Sequence, residues 1–280
     1  MRTFDYESFQ KSSIPSDVRM YLTMILPYQE EKPFLYGQKS GIFEYLAQKT
    51  KHKSAGASNR IEGISTTDKR LIALVDGKIA PHSKTEKEIL GYCLCLEKVF
   101  ASNDNIPITP DYILEMHADL YHYLSTNREG RFKSIDNMVE ATDAAGEKSV
   151  LFVPAPAAYT QQAIADLCDT YNRAMEKEAM PPLVLIMQFV FDFMCIKPFS
   201  HGNGRISRLL MLLLLNRCGF PVVKYISLDA MLEKTKDGYF NALKESGLNW
   251  NQNADPSWEF IRYMLGILLA AYHEMENRVL

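Results

Sequence analysis

The stretch that decides the reading is Cys195-Ile196-Lys197-Pro198-Phe199-Ser200-His201-Gly202-Asn203-Gly204-Arg205-Ile206-Ser207-Arg208, CIKPFSHGNGRISR. Long apolar runs lie on both sides of it. They predict helices over 181–195 and 203–216 with a short polar turn between them. Two glycines remove side-chain bulk and permit unusual backbone angles. Successive N–H groups can then converge at a helix N-terminus, where the backbone dipoles add positive potential. In physical terms this is a phosphate cradle. Arg205 and Arg208 are three residues apart and share a helix face, and each can grip phosphate oxygens with its fork. The same residues would also make a plain interhelical turn with two solvated arginines, and spacing alone does not choose between the two.

Working outward, periodic apolar positions predict helices over about 84–100, 110–125, 160–178, 227–245 and 256–277. Pro110 suits a first helical turn. Gly41 to Ala47 reads as one short helix, and Lys51 to Gly56 as a polar, flexible connection in which Lys51 to Lys53 only solubilise a loop. Ser58 reads as a helix cap. Ser149 to Pro154 is the best extended run, a small hairpin or edge strand given its prolines. No strand–helix–strand alternation occurs. The expected fold class is mainly α with one small β element.

Composition narrows the classes. The 280 residues are 47% hydrophobic and 23% charged, as expected of a globular chain. The formal net charge of −3 gives no broad electropositive field, so nucleic acid is not an expected partner. The cysteines Cys93, Cys95, Cys168, Cys195 and Cys218 are odd in number and lack disulfide or zinc spacing, which points to a reducing compartment. The N-terminus lacks an apolar signal core, and Leu209 to Leu215 is too short to span a bilayer. A cytoplasmic protein without membrane partners is the expectation. Self-association into a homo-oligomer is left open.

At this point the chain resembles a known family. Pro198, Phe199, Gly202, Asn203, Gly204, Arg205 and Arg208 match the Fic signature His-Pro-Phe-x-x-Gly-Asn-Gly-Arg-x-x-Arg. Gly130-Arg-Phe-Lys-Ser-Ile, the segment near Phe152-Val-Pro, Tyr225-Ile-Ser-Leu and the region of Trp250, Tyr263 and Tyr272 look similar too. The resemblance covers about 35–275. It implies a helical core with a hairpin flap, and a protein adenylyltransferase that moves AMP from ATP to a protein hydroxyl with Mg²⁺. It further implies that Gly202, Asn203 and Gly204 hold phosphates, with Asn203 fixing the loop or touching the α-phosphate. Arg205 would neutralise the β-phosphate region and Arg208 would pair with the γ-phosphate. Phe199 would anchor the loop in the core. Tyr239, with Asn241 and Lys244, resembles residues lining the nucleotide pocket. Phe152 would pack on adenine, on a target protein docked at the flap, or simply on the core.

Two positions depart from the pattern. Lys197 stands where the family has its histidine base. A neutral imidazole accepts a hydroxyl proton near pH 7, whereas a lysine of ordinary pKa, about 10.4, cannot. His201 stands where the family has a Mg²⁺-binding carboxylate, and imidazole suits that hard cation poorly. Weak or absent transfer is expected. Ser58-Asn-Arg-Ile-Glu62-Gly63 resembles the family's inhibitory motif, whose helix is expected near 55–70. Glu62 would then pair with Arg208 in place of the γ-phosphate. The expected organisation is an N-terminal region over 1–100 containing that helix, a core over 101–245, and a C-terminal helical region over 246–280. A nucleotide-binding regulatory or interaction protein without transfer is the alternative.

Overall fold

The computed structural model describes residues 2–7, 14–30, 40–101, 107–124, 129–142, 148–252 and 257–279. Helices α1 (Ser16–Ile25), α2 (Pro27–Glu30), α3 (Ser40–Ile61), α4 (Asp68–Val75), α5 (Lys84–Ala101) and α6 (Pro110–Leu120) precede a two-stranded sheet. Strands β1 (Val139–Thr142) and β2 (Lys148–Phe152) pair antiparallel, Val139 opposite Phe152, with an irregularity between Val139 and Glu140. Helices α7 (Ala157–Glu176), α8 (Pro182–Ile196), α9 (Asn203–Arg217), α10 (Leu228–Lys234), α11 (Lys236–Gly247) and α12 (Trp258–Val279) follow. The mainly helical class and, among the described residues, the one small hairpin are as the sequence predicts.

The core is built around α8 and α9. Residues Leu183 to Phe193 of α8, Cys195 and Ile196 are all buried, as is every residue of α9 from Asn203 to Leu215. A helix apolar on all sides must be surrounded. Helices α7, α9 and α12 pack on α8, while α3, α5 and α6 pack on α9. One buried charge marks the centre of α8. Asp192 accepts hydrogen bonds from Tyr6 Oη at 2.7 Å, Gln188 Nε2 at 2.9 Å and Trp250 Nε1 at 2.7 Å, with Arg2 Nε at 3.5 Å. The N-terminal strip and Trp250 are thereby fastened to the core, and the ion pays its desolvation through several partners.

Five local expectations need correction. Lys51 to Gly56 is not a flexible connection. It lies inside α3, which runs unbroken from Ser40, and Ser54, Ala55 and Gly56 are buried. Packing of α3 on α10, with Ser54 Oγ 2.7 Å from Ser227 Oγ, overrides the weak helical preference of that segment. Ser58 consequently sits in the last turns of α3 and caps nothing. The helix expected near 55–70 ends at Ile61, and the next, α4, starts at Asp68. Gly63, at φ 77°, terminates α3: its N–H and that of Ile64 return to the carbonyls of Arg60 and Asn59. Finally, the helix expected over 227–245 is broken at Thr235 into α10 and α11, and the one from Pro110 stops at Leu120. Helix α1 was not predicted at all. Among the described residues no helix is long and apolar enough to cross a membrane.

Candidate functional site

Helix α8 ends at Lys197, which adopts a left-handed conformation at φ 48°, ψ 64°. The chain then turns through 198–202 and enters α9 at Gly202, φ 81°. A Cβ on Gly202 would lie 2.9 Å from Tyr121 Oη, so glycine is needed there for both conformation and space. Asn203 braces the turn from within. Its Oδ1 accepts from Phe199 N–H at 2.9 Å and its Nδ2 donates to Phe199 O at 2.7 Å. Of the two roles the resemblance allows for Asn203, its buried amide fits the fixing of the loop. Phe199 is fully buried and stacks on His117 of α6, ring centroids 3.8 Å apart.

His117 holds the turn from outside. It contacts the carbonyl of His201 through Nε2 at 3.3 Å, and its Nδ1 accepts from Gly130 N–H at 3.1 Å. An acceptor Nδ1 leaves Nε2 as the donor of a neutral ring. Burial supports that state by pushing the imidazole down to about 4. Lys133 adds a second brace: its Nζ donates to Ile196 O at 3.1 Å and Asn137 Oδ1 at 2.8 Å, and its N–H to Pro198 O at 2.8 Å. Burial lowers this ammonium to about 8, with nearby Lys197 acting in the same direction.

Both arginines of the loop are buried and engaged. Arg208 donates through Nε to Ser58 Oγ at 2.8 Å, and through Nη2 to Ser58 O and to Glu62 Oε1, each at 2.9 Å. Asp229, itself fully buried, lies 3.5 Å from its Nε. The end of α3 therefore grips Arg208, and the bidentate Arg60–Glu233 pair, at 2.6 and 2.8 Å, fixes that end to α10. A Cβ at Gly204 would overlap the Glu62 carboxylate. The missing side chain is what lets Glu62 lie over the start of α9. Arg205 donates through Nη2 to Glu88 Oε2 at 2.8 Å and Tyr121 Oη at 3.0 Å, and through Nη1 to Asn59 Oδ1 at 3.2 Å. Its Nε is buried without a hydrogen-bond partner.

In front of the loop opens a cleft of about 740 Å³, lined among others by Glu62, Glu88, His201, Gly202 and Arg205. Of the residues predicted from sequence, Glu62, His201, Gly202 and Arg205 line it, while Ser58, Asn203, Gly204 and Arg208 are buried around the loop and do not. Lys197 stands at the junction of α8 and the loop, near Lys133 and Glu62. Burial lowers its ammonium below the ordinary lysine range, and Glu62 opposes that shift. Tyr239 is buried beside Arg208 and does not line the cleft. Phe152 packs edge-on to Trp250, centroids 6.0 Å apart, and against Gly247, away from the cleft. Asn59, Glu88, Tyr121, His117, Lys133 and Asp229 were missed. Only Asn59 and Lys133 had any signal, as members of segments already singled out.

The Mg²⁺ that the resemblance implies does not fit these residues. His201 offers an imidazole where a hard cation needs oxygen. The two carboxylates that line the cleft are already bound to Arg208 and Arg205. Among the described residues no group of three or more His, Cys, Asp or Glu could hold a metal ion.

Residues 107–215 match the Fic/DOC family. A protein adenylyltransferase Fic from Nematostella vectensis is 30% identical over 171 residues, 59% of this chain and 38% of that protein. Protein adenylyltransferase fic-1 from Caenorhabditis briggsae is 29% identical over 44% of this chain and 22% of its own length. The chain thus spans well under half of these curated relatives. A Fic family protein from Desulfovibrio desulfuricans superposes with a TM-score of 0.75 at 21% identity, covering 95% of this chain and 75% of that one. A Fic domain containing signaling protein from Bacteroides thetaiotaomicron does so at 0.75 and 22%, covering 94% and 97%. At those identities the superpositions speak for the fold alone: the chain has the fold of these Fic proteins, and its residues 107–215, which contain the loop, match the Fic/DOC family.

Proposed function

We propose that this chain is a Fic-like protein adenylyltransferase, moving AMP from ATP to a hydroxyl of a protein presented at the β1–β2 flap. It is restrained by Glu62, and its transfer is weak or absent. The observation that carries the restraint is the Glu62–Arg208 ion pair at 2.9 Å, made over the glycine at 204. A γ-phosphate seeking Arg208 must displace that carboxylate. The relatives named protein adenylyltransferase support the chemistry and ATP as nucleotide. In this reading the division into 1–100, 101–245 and 246–280 is functional, the first part restraining the second, and the protein works in the cytoplasm.

Transfer forms a bond from the hydroxyl oxygen to the α-phosphorus and breaks the bond to pyrophosphate. The hydroxyl proton must go to a base. Lys197 occupies the base position, and only its neutral amine can accept. Burial favours that neutral form, but Glu62 favours the ammonium, so the restrained state is doubly unproductive. The second reading is a nucleotide-binding regulatory protein without transfer. It is favoured by Lys197 and by the engagement of both arginines.

Incorporation of α-labelled AMP decides between them, measured for the chain as it stands and for Lys197→His, Glu62→Gly and the double variant. The transferase reading expects the double variant to label most. Absence of label in all four, with ATP still bound, leaves the regulatory reading.

A further inference from the structure

The cleft carries two cations outside the loop. Lys84 is the first residue of α5, and Arg131 follows Gly130 on the segment that His117 holds. Both are exposed, and neither is in an ion pair among the described residues. The acids of the cleft are spent: Glu62 is bound to Arg208 at 2.9 Å and Glu88 to Arg205 at 2.8 Å. Arg205 lines the cleft although its side chain is only 3% exposed, and its Nε–H is buried with no hydrogen-bond partner. The N-terminus of α9 adds its own positive potential at Gly202. A divalent cation entering here would meet positive charges and no free carboxylate, whereas a polyanion would meet complementary charge.

We infer that this cleft binds a polyphosphate without a divalent metal, Lys84 and Arg131 supplying the two positive charges that a metal would otherwise bring. The two side chains come to the cleft from different elements, one from α5 and one from the segment that follows Gly130. The inference rests on the nucleotide reading only for the identity of the ligand as ATP; the charge argument holds for any polyphosphate.

Calorimetry on the full chain, with ATP and with inorganic tripolyphosphate, in EDTA and in excess Mg²⁺, tests it. Both ligands should bind in EDTA, and excess Mg²⁺ should weaken them by masking phosphate charge. Lys84→Ala and Arg131→Ala should each weaken binding in EDTA about three- to tenfold, as partly exposed charge-assisted contacts do. Both sites are exposed, so folding is not at stake. Binding seen only with Mg²⁺, or unchanged by both substitutions, overturns the inference and leaves the nucleotide reading standing. Tripolyphosphate binding in EDTA without ATP binding keeps the inference and removes ATP as the nucleotide. No binding of either ligand in either buffer overturns both.

Discussion

Replacing Glu62 with glycine removes the carboxylate that Arg208 now holds at 2.9 Å. Arg208 does not become an isolated buried charge. Ser58 still accepts from it twice, at 2.8 and 2.9 Å, and Asp229 remains at 3.5 Å. The fold should therefore survive, losing no more than about 1–2 kcal/mol. A charge-assisted hydrogen bond contributes about 1.5–3 kcal/mol. The Glu62 side chain is 34% exposed, and screening brings its share to about 1–2 kcal/mol. In the unchanged chain that free energy opposes any anion that needs Arg208. With each 1.4 kcal/mol worth about tenfold, ATP affinity should rise about five- to thirtyfold in Glu62→Gly. ADP, which has no γ-phosphate, should gain less. Titration calorimetry with both nucleotides measures this. Equal, unchanged affinities would mean that Ser58 to Gly63 only packs the N-terminal region, and the restraint would be refuted.

Three further outcomes are expected. Asn203→Ala strips the buried Phe199 N–H of its acceptor, while Asn137 still reaches Phe199 O at 3.3 Å; the loss should be about 1–3 kcal/mol in urea unfolding, and an unshifted midpoint would show that Asn203 does not brace the loop. His117 is buried neutral, its pKa lowered from 6.5 to about 4; unfolding takes up a proton below 6.5, so stability should be full above that pH and fall as pH drops toward 4, a decline that His117→Phe should flatten in urea midpoints between pH 7 and pH 5, roughly the range of imidazole titration. In a Glu62→Gly background any residual AMP transfer should climb with rising pH, because burial lowers the Lys197 ammonium below the ordinary lysine range and its neutral form grows, whereas Lys197→His should level off once the imidazole is neutral; a flat profile for the lysine chain would remove Lys197 from proton transfer.

The sequence alone determined the features that depend on near neighbours. The apolar runs around CIKPFSHGNGRISR dictated two buried helices, because a run apolar on every side has nowhere to go but the core. Gly202 marked the left-handed start of α9, and the prolines beside Phe152 confined the extended run to a two-stranded hairpin. The pairing of Glu62 with Arg208 was legible only through the family resemblance, since 146 residues separate them. Tertiary structure decided the rest. Lys51 to Gly56 carries lysines and a glycine and looks like a loop, yet burial between helices keeps it in α3. Arg205 read as either a phosphate ligand or a solvated arginine, but Asn59 from α3, Glu88 from α5 and Tyr121 after α6 close on it in space. Those partners lie 84 to 146 residues away in the chain, and local periodicity contains no information about which distant polar side chain a buried guanidinium will find. The requirement that a buried charge be satisfied says that partners must exist, and only the packing of α3, α5 and α6 around α9 selects them.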